Sequence, residues 1–147
     1  MFINVHHVTY VVESVQKMAD YLERNFGLQP DRTDEATDLG IKSIRYRIGP
    51  TMVDFFEPLM DDATEGTKFN NVHHTTIAGQ LKATGPGVMH VAWAVEGIDQ
   101  ICQDLKDNGN EIQQGGVVVS PFDYKIVTIE PSSAHGIYFQ LAEGEVS

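Results

Sequence analysis

Residues 5–25 recur, altered but legible, 83 positions later at residues 88–108. Val5 meets Val88, His7 meets His90, Val8 meets Val91, Val12 meets Val95, Glu13 meets Glu96, Leu22 meets Leu105 and Asn25 meets Asn108. A second echo follows at an offset of 86, where Val53-Asp54-Phe55-Phe56-Glu57 aligns with Phe139-Gln140-Leu141-Ala142-Glu143. Self-similarity at a fixed offset is the mark of repeated structural units. The chain is therefore expected to fold as two like modules, each opening on a histidine and closing on a polar residue inside an apolar strand.

Local patterning gives the content of each module. Residues 3–12 are rich in Val and Tyr, a strand signal. Alternation puts Val5, His7, Thr9 and Val11 on one face and His6, Val8, Tyr10 and Val12 on the other, with His6 pointing away from His7. Val15, Met18, Ala19 and Leu22 then recur at helical spacing, with Ser14 placed to cap the helix and Gly27 to end it. Three strands are expected at about 28–31, 41–48 and 51–57. The second module repeats the order. It has a strand over 88–95, a helical stripe of Ile98, Ile101, Cys102 and Leu105 ended by Gly109, and strands near 111–113, 125–129 and 136–141. Each module reads βαβββ, within a single domain divided as 1–59, a connector 60–86, and 87–147. The connector is polar, is dotted with glycine and holds the pair His73-His74. A short helix or strand plus a loop is expected there, and the histidine pair reads as solvated.

Composition narrows the function. At 147 residues, with 41% hydrophobic and 21% charged residues, the chain can bury a real core. A net charge of −11, spread along the chain, repels nucleic acid and anionic membrane, so neither is expected as a partner. Cys102 is the only cysteine, which excludes an intrachain disulfide and a thiolate zinc cluster. No signal-like or membrane-length apolar run is visible, and a cytoplasmic protein is expected.

The repeat singles out His7, Asp54, His90 and Gln140. Imidazole nitrogen and carboxylate oxygen suit zinc, nickel, cobalt, manganese or iron, and an amide oxygen can complete such a set. Each residue sits among apolar neighbours, where an unpaired polar group is costly and a shared metal would remove the cost. Taken singly, a strand histidine is more often a hydrogen-bonded core or surface residue, and Asp54 could merely start a turn. Recurrence at matched offsets is what joins the four.

Four segments carry a resemblance to a known family. They are His6-His7-Val8-Thr9-Tyr10, Val53-Asp54-Phe55-Phe56-Glu57-Pro58-Leu59, Gly87-Val88-Met89-His90-Val91-Ala92-Trp93 and Gly136-Ile137-Tyr138-Phe139-Gln140-Leu141. Together they resemble the vicinal oxygen chelate superfamily of glyoxalases, methylmalonyl-CoA epimerases, ring-cleaving dioxygenases and antibiotic resistance proteins, most of all its epimerase branch. The resemblance implies an α+β fold in which two βαβββ modules form a cupped, mixed, mostly antiparallel sheet around a metal site. It implies a divalent metal held by His7, Asp54, His90 and Gln140, a small-molecule substrate and a homodimer. Where the family commonly places Glu or Gln before Phe55 this chain has Asp54, and where it commonly ends on Glu the chain has Gln140. The epimerase base of the first module corresponds to Ser43.

Three functions follow from these residues. The first is a metal-dependent isomerase or lyase that chelates a small carbonyl or carboxylate substrate and stabilises an enolate-like intermediate, with Asp54 as ligand or catalytic base. The second is an iron(II) ring-cleaving dioxygenase, which needs two histidines and a carboxylate. The third is a binding or resistance protein that keeps the cavity without turnover.

Overall fold

A computed structural model describes residues 1–36, 40–59, 77–120 and 122–145. Element order is β1 (Phe2–Val11), α1 (Val15–Phe26), β2 (Arg32–Ala36), β3 (Ile41–Ile48), β4 (Thr51–Pro58), α2 (Ile77–Thr84), β5 (Gly87–Val95), α3 (Ile98–Asp107), β6 (Val118–Val119), β7 (Lys125–Ile129) and β8 (Phe139–Glu143). This is an α+β fold, and βαβββ occurs twice in its order. The chain divides into two compact units, one of Met1–His7 with His90–Ser147 and the other of Val8–Met89.

In the first unit the strands follow the order β1-β5-β8-β7-β6. The β5–β8 pair is parallel, while β8–β7 and β7–β6 are antiparallel, so the sheet is mixed. Helix α3 covers a core of Val95, Ile98, Cys102, Val127 and Leu141, with Ile101 and Leu105 packed at its margin. That is the stripe expected from the i, i+3, i+4 spacing, and burying it is what holds so short a helix in place.

The second unit has the order β2-β3-β4-β1, with β2–β3 and β3–β4 antiparallel. Helix α1 starts where Ser14 Oγ accepts from the Lys17 N–H at 3.2 Å and Glu57 accepts from the Val15 N–H at 2.9 Å. It ends at Gly27, whose φ of 67° is left-handed and whose N–H closes on Glu23. Its apolar stripe, led by Val15, packs on Ile44, Tyr46 and Phe55.

Three local expectations are corrected. The strand expected at 28–31 forms at Arg32–Ala36, because that register lets its backbone pair with residues 41–45 of β3. The segment 111–113 contributes only a single bridge from Ile112 to Ile129 before a tight turn at Gln113–Gly115, and the edge strand comes later at Val118–Val119. Gln114, at φ 57°, breaks any extended run there. The last strand begins at Phe139 rather than 136, since a turn at Pro131–Ser133 and left-handed His135 and Gly136 precede it. The described part of the connector holds α2, while His73 and His74 lie outside the described residues. Among the described residues no helix is long and apolar enough to cross a membrane.

Candidate functional site

Alternation decides which side chains of the first unit can meet. Val95, Val127 and Leu141 turn towards α3, so His90, Thr128 and Gln140, out of step with them by odd spacings, turn to the opposite face. Thr128 and Gln140 are register partners across β7 and β8, and Gln140 is also paired with Ala92 of β5. His7 closes the β1 segment of this unit, and its Nε2 lies 3.2 Å from His90 Nε2. His7, His90 and Gln140 are all buried. The structure thus brings three of the four residues marked by the repeat into one polar cluster.

The protons of this cluster can be followed atom by atom. His6 Nε2 lies 2.8 Å from the Gly144 carbonyl, which can only accept, so His6 donates there. Its Nδ1 then carries the lone pair, and His7 Nδ1, 2.8 Å away, donates to it. In the neutral rings His7 Nε2 is left with its lone pair facing His90. Gln140 directs its amide nitrogen to Thr128 Oγ1 at 3.2 Å and its oxygen towards His7.

Burial holds the imidazoles neutral. His90 is pushed down to about 4 by desolvation, and His7 lies well below its usual value through burial and then the neighbouring His90 and His6. Gln140 acts in the other direction on His7, since its oxygen favours the protonated ring, but burial outweighs it. Tyr138 stacks obliquely on His90 at a centroid distance of 5.1 Å. Its hydroxyl bonds with Thr128, and burial pushes it up to about 12, so it remains a proton donor.

His6 corrects the expectation that it points away from His7. Alternation governs the Cα–Cβ vectors, but Nδ1 sits close to the backbone, and ring rotation lets two neighbouring Nδ1 atoms meet around the strand. Tyr124, 4.7 Å from the His6 ring and 5.4 Å from the His7 ring, holds the pair in place. Thr128 and Tyr138 were also missed. Tyr138 stands two residues before Gln140, so alternation alone could have placed it on the same face.

Asp54 belongs to the second unit. Val53 and Phe55 pack towards α1, leaving Met52, Asp54 and Phe56 on the other face of β4. Its register partner is Arg45, and Ser43 pairs with Phe56. Burial pushes the Asp54 carboxyl up to about 7; the Arg45 guanidinium pulls against this, and Asp34 adds to it. Arg45 is itself buried, with Nη2 3.1 Å from Asp31, while its Nε and Nη1 have no hydrogen-bond partner among the described residues.

Among the described residues no group of three His, Cys, Asp or Glu side chains could hold a metal. The third donor type of the first unit is an amide; the set fits a divalent ion on chemistry, and the two imidazoles fit it on distance. Imidazole ligands at about 2.0–2.1 Å from a shared ion, at tetrahedral to octahedral angles, place their nitrogens about 2.8–3.4 Å apart. The observed 3.2 Å falls in that interval. The same distance also allows a hydrogen bond from His90 to His7 in the metal-free protein. Gln140 lies beside His7, and its amide oxygen supplies a third, neutral donor type.

Over residues 6–127 the chain matches the family described as Glyoxalase/Bleomycin resistance protein/Dioxygenase superfamily. No curated protein sequence matches it. Among solved structures, methylmalonyl-CoA epimerase from Mycobacterium tuberculosis superposes with a TM-score of 0.79 at 19% identity, covering 98% of this chain and 89% of that one. A variant of the Streptomyces coelicolor epimerase in complex with 2-nitronate-propionyl-CoA gives 0.80 at 16% identity, covering 99% and 100%. A hypothetical protein from Bacillus halodurans C-125 gives 0.78 at 20% identity, covering 97% and 95%. These likenesses are of fold.

Proposed function

Because the chain belongs to the glyoxalase, bleomycin resistance protein and dioxygenase superfamily, we propose that it is a metal-dependent isomerase or lyase acting on a small substrate with two neighbouring oxygens. The observation that carries this reading is the facing pair of buried Nε2 atoms, 3.2 Å apart, with Gln140 beside His7. His7 and His90 are the two nitrogen ligands and Gln140 is an oxygen ligand or a substrate contact. A divalent ion bound there supplies Lewis-acid polarisation of a carbonyl or carboxylate oxygen. The residues themselves do the rest. Burial keeps both imidazoles unprotonated at neutral pH, so their lone pairs are available without competition from protons. Tyr138 keeps its hydroxyl proton and can donate to a substrate oxygen.

The three donors of the first unit are electrically neutral, so the charge of a divalent cation there is offset only by Asp54, where it ligates, or by the substrate. This favours a substrate that brings anionic oxygen, such as an oxo-acid or an enolisable acyl thioester with a carboxylate. Asp54 is assigned as a fourth ligand or as the base, its raised value lying near the pH at which a carboxylate base works best.

The test is metal titration of chelator-treated protein followed by a substrate screen. Zinc uptake near one equivalent, lost in His7→Ala and in His90→Ala, is the expected result; uptake indifferent to both substitutions sinks the reading. With metal-loaded protein, small oxo-acids and acyl-CoA thioesters are screened for isomerisation or cleavage, and oxygen consumption with a catechol would transfer the protein to the dioxygenases. Asp54→Asn separates the two roles of that residue: lost zinc affinity marks a ligand, and retained affinity with lost turnover marks a base.

A further inference from the structure

His6 is a buried polar group that the reaction itself does not need, in direct contact with a candidate ligand. Its surroundings are unusually well defined. Nε2 is tied at 2.8 Å to the carbonyl of Gly144, Nδ1 lies 2.8 Å from His7 Nδ1, and the Tyr124 ring lies against it. Gly144 adopts φ 113°, a conformation that side chains resist. The carbonyl is thus aimed by a backbone that only glycine adopts readily, which fixes the start of the chain of hydrogen bonds.

We propose that His6 is a positioning residue: through Gly144 it locks His7 in the Nδ1-protonated tautomer, so that the His7 Nε2 lone pair is permanently presented to a divalent metal. The proposal deepens the metal reading above and rests on it. Metal-bound imidazoles generally donate their second nitrogen to an acceptor that orients the ring and sets its tautomer. Here that acceptor is the adjacent histidine, and its direction is imposed by a carbonyl that cannot donate. No such lock acts on His90 through His7. In the metal-free protein His90 Nε2–H can donate to His7, so on metal binding the tautomer change falls on His90 and not on His7.

Two substitutions separate the hydrogen bond from mere packing. Asparagine places its oxygen where histidine has Nδ1, so His6→Asn keeps the acceptor for His7 and gives up the bond to Gly144. Glutamine reaches the position of Nε2, so His6→Gln keeps the donor to Gly144 and gives up the acceptor. Zinc affinity is expected within about threefold of wild type for His6→Asn and weakened about 10–100-fold for His6→Gln. Equal affinities in the two variants overturn the proposal.

The second readout is long-range ¹⁵N–¹H correlation of the histidine rings in metal-free wild-type protein. A His7 ring protonated at Nδ1 is expected, unchanged when zinc is added, while the His90 pattern shifts. A His7 ring protonated at Nε2 refutes the lock. If wild-type protein takes up no zinc at all, the metal reading falls and the ligand-positioning role falls with it. The tautomer measurement still shows which of the two arguments failed.

Discussion

Asp54→Asn in metal-free protein is a perturbation whose size follows from one buried carboxyl. Asp54 is pushed up to about 7 in the fold, against an ordinary value of 3.8. A raised folded-state value means that the folded chain holds its proton longer than the unfolded chain. Below the ordinary value both states are protonated and the carboxyl carries no penalty. As pH rises from there to about 7 the unfolded chain ionises first and stability is lost, completely so above the folded value. Roughly three pH units at about 1.4 kcal/mol each amount to on the order of 4 kcal/mol. Asparagine keeps the shape and cannot ionise. The variant is therefore expected to match wild type near pH 4 and to exceed it by about 4 kcal/mol at pH 8, or about 8–16 °C in melting temperature for a chain of this size.

The assay is urea unfolding in excess chelator from pH 4 to 8, read as the difference between the two proteins. Other titrations cancel in that difference. His90, for example, is depressed to about 4, so its contribution is present above its unfolded value and lost as pH falls towards 4, equally in both chains. A difference independent of pH refutes the reasoning, because it would mean that Asp54 is not a carboxyl made reluctant by burial. Repeating the series in excess zinc extends the result. If Asp54 ligates, the metal stabilises its ionised form and the wild-type penalty above pH 7 disappears.

Zinc at about 100 times its dissociation constant should stabilise the folded protein by about 2.7 kcal/mol, so chelation should lower the melting temperature of wild type and leave those of His7→Ala and His90→Ala unmoved. Leu141→Ala empties a fully packed position under α3 and should cost about 2–5 kcal/mol in chemical denaturation, whether or not metal is present. Two-base epimerisation needs a titratable group on each face of the reacting carbon, and Ser43 and Gln140 stand where the family's carboxylates would be. Inversion at the α-carbon of methylmalonyl-CoA should therefore fail to proceed at an enzymatic rate, and rapid interconversion of its two configurations would restore the epimerase assignment.

The fold was largely legible because its signals are local and repeated. Ser14 and Gly27 mark α1 by caps that depend on side chain and backbone conformation alone, and both occupy those positions. The helical stripes of α1 and α3 and the strands at Ile41–Ile48 and Lys125–Ile129 follow from periodicity. Legibility failed where pairing rather than propensity chooses the strand. Arg32–Ala36, with Asp34 and Glu35, is a poor strand by composition, and it is extended because β3 offers it a ladder. Val118–Val119 is likewise fixed by β7.

The cluster around His7 was half legible. The repeat pointed to His7, His90 and Gln140 because a histidine recurs at offset 83 and a polar residue inside an apolar strand at offset 86, and the sheet gathers those three. It could say nothing of His6, whose role depends on χ angles and on the Gly144 carbonyl far along the chain. Thr128 was hidden for a similar reason, since its contact with Gln140 comes from strand register and not from spacing.

Gln140 carries the sharpest remaining consequence. A glutamate there would differ from glutamine by one atom, so Gln140→Glu adds a charge without changing volume. Thr128 can rotate its hydroxyl and donate to the new carboxylate, which replaces the bond now received from the amide. Two neutral imidazoles and a carboxylate compensate a divalent ion better than two imidazoles and an amide, so zinc affinity should rise at least about tenfold, on the order of 1.4 kcal/mol. Anionic bidentate ligands should move the other way, because part of the positive charge that attracts them is then cancelled. Oxalate binding to the zinc-loaded variant, measured by calorimetry, is expected to weaken relative to wild type. If zinc affinity stays unchanged while the fold is intact, the amide oxygen does not face the metal, and Gln140 must be removed from the ligand set.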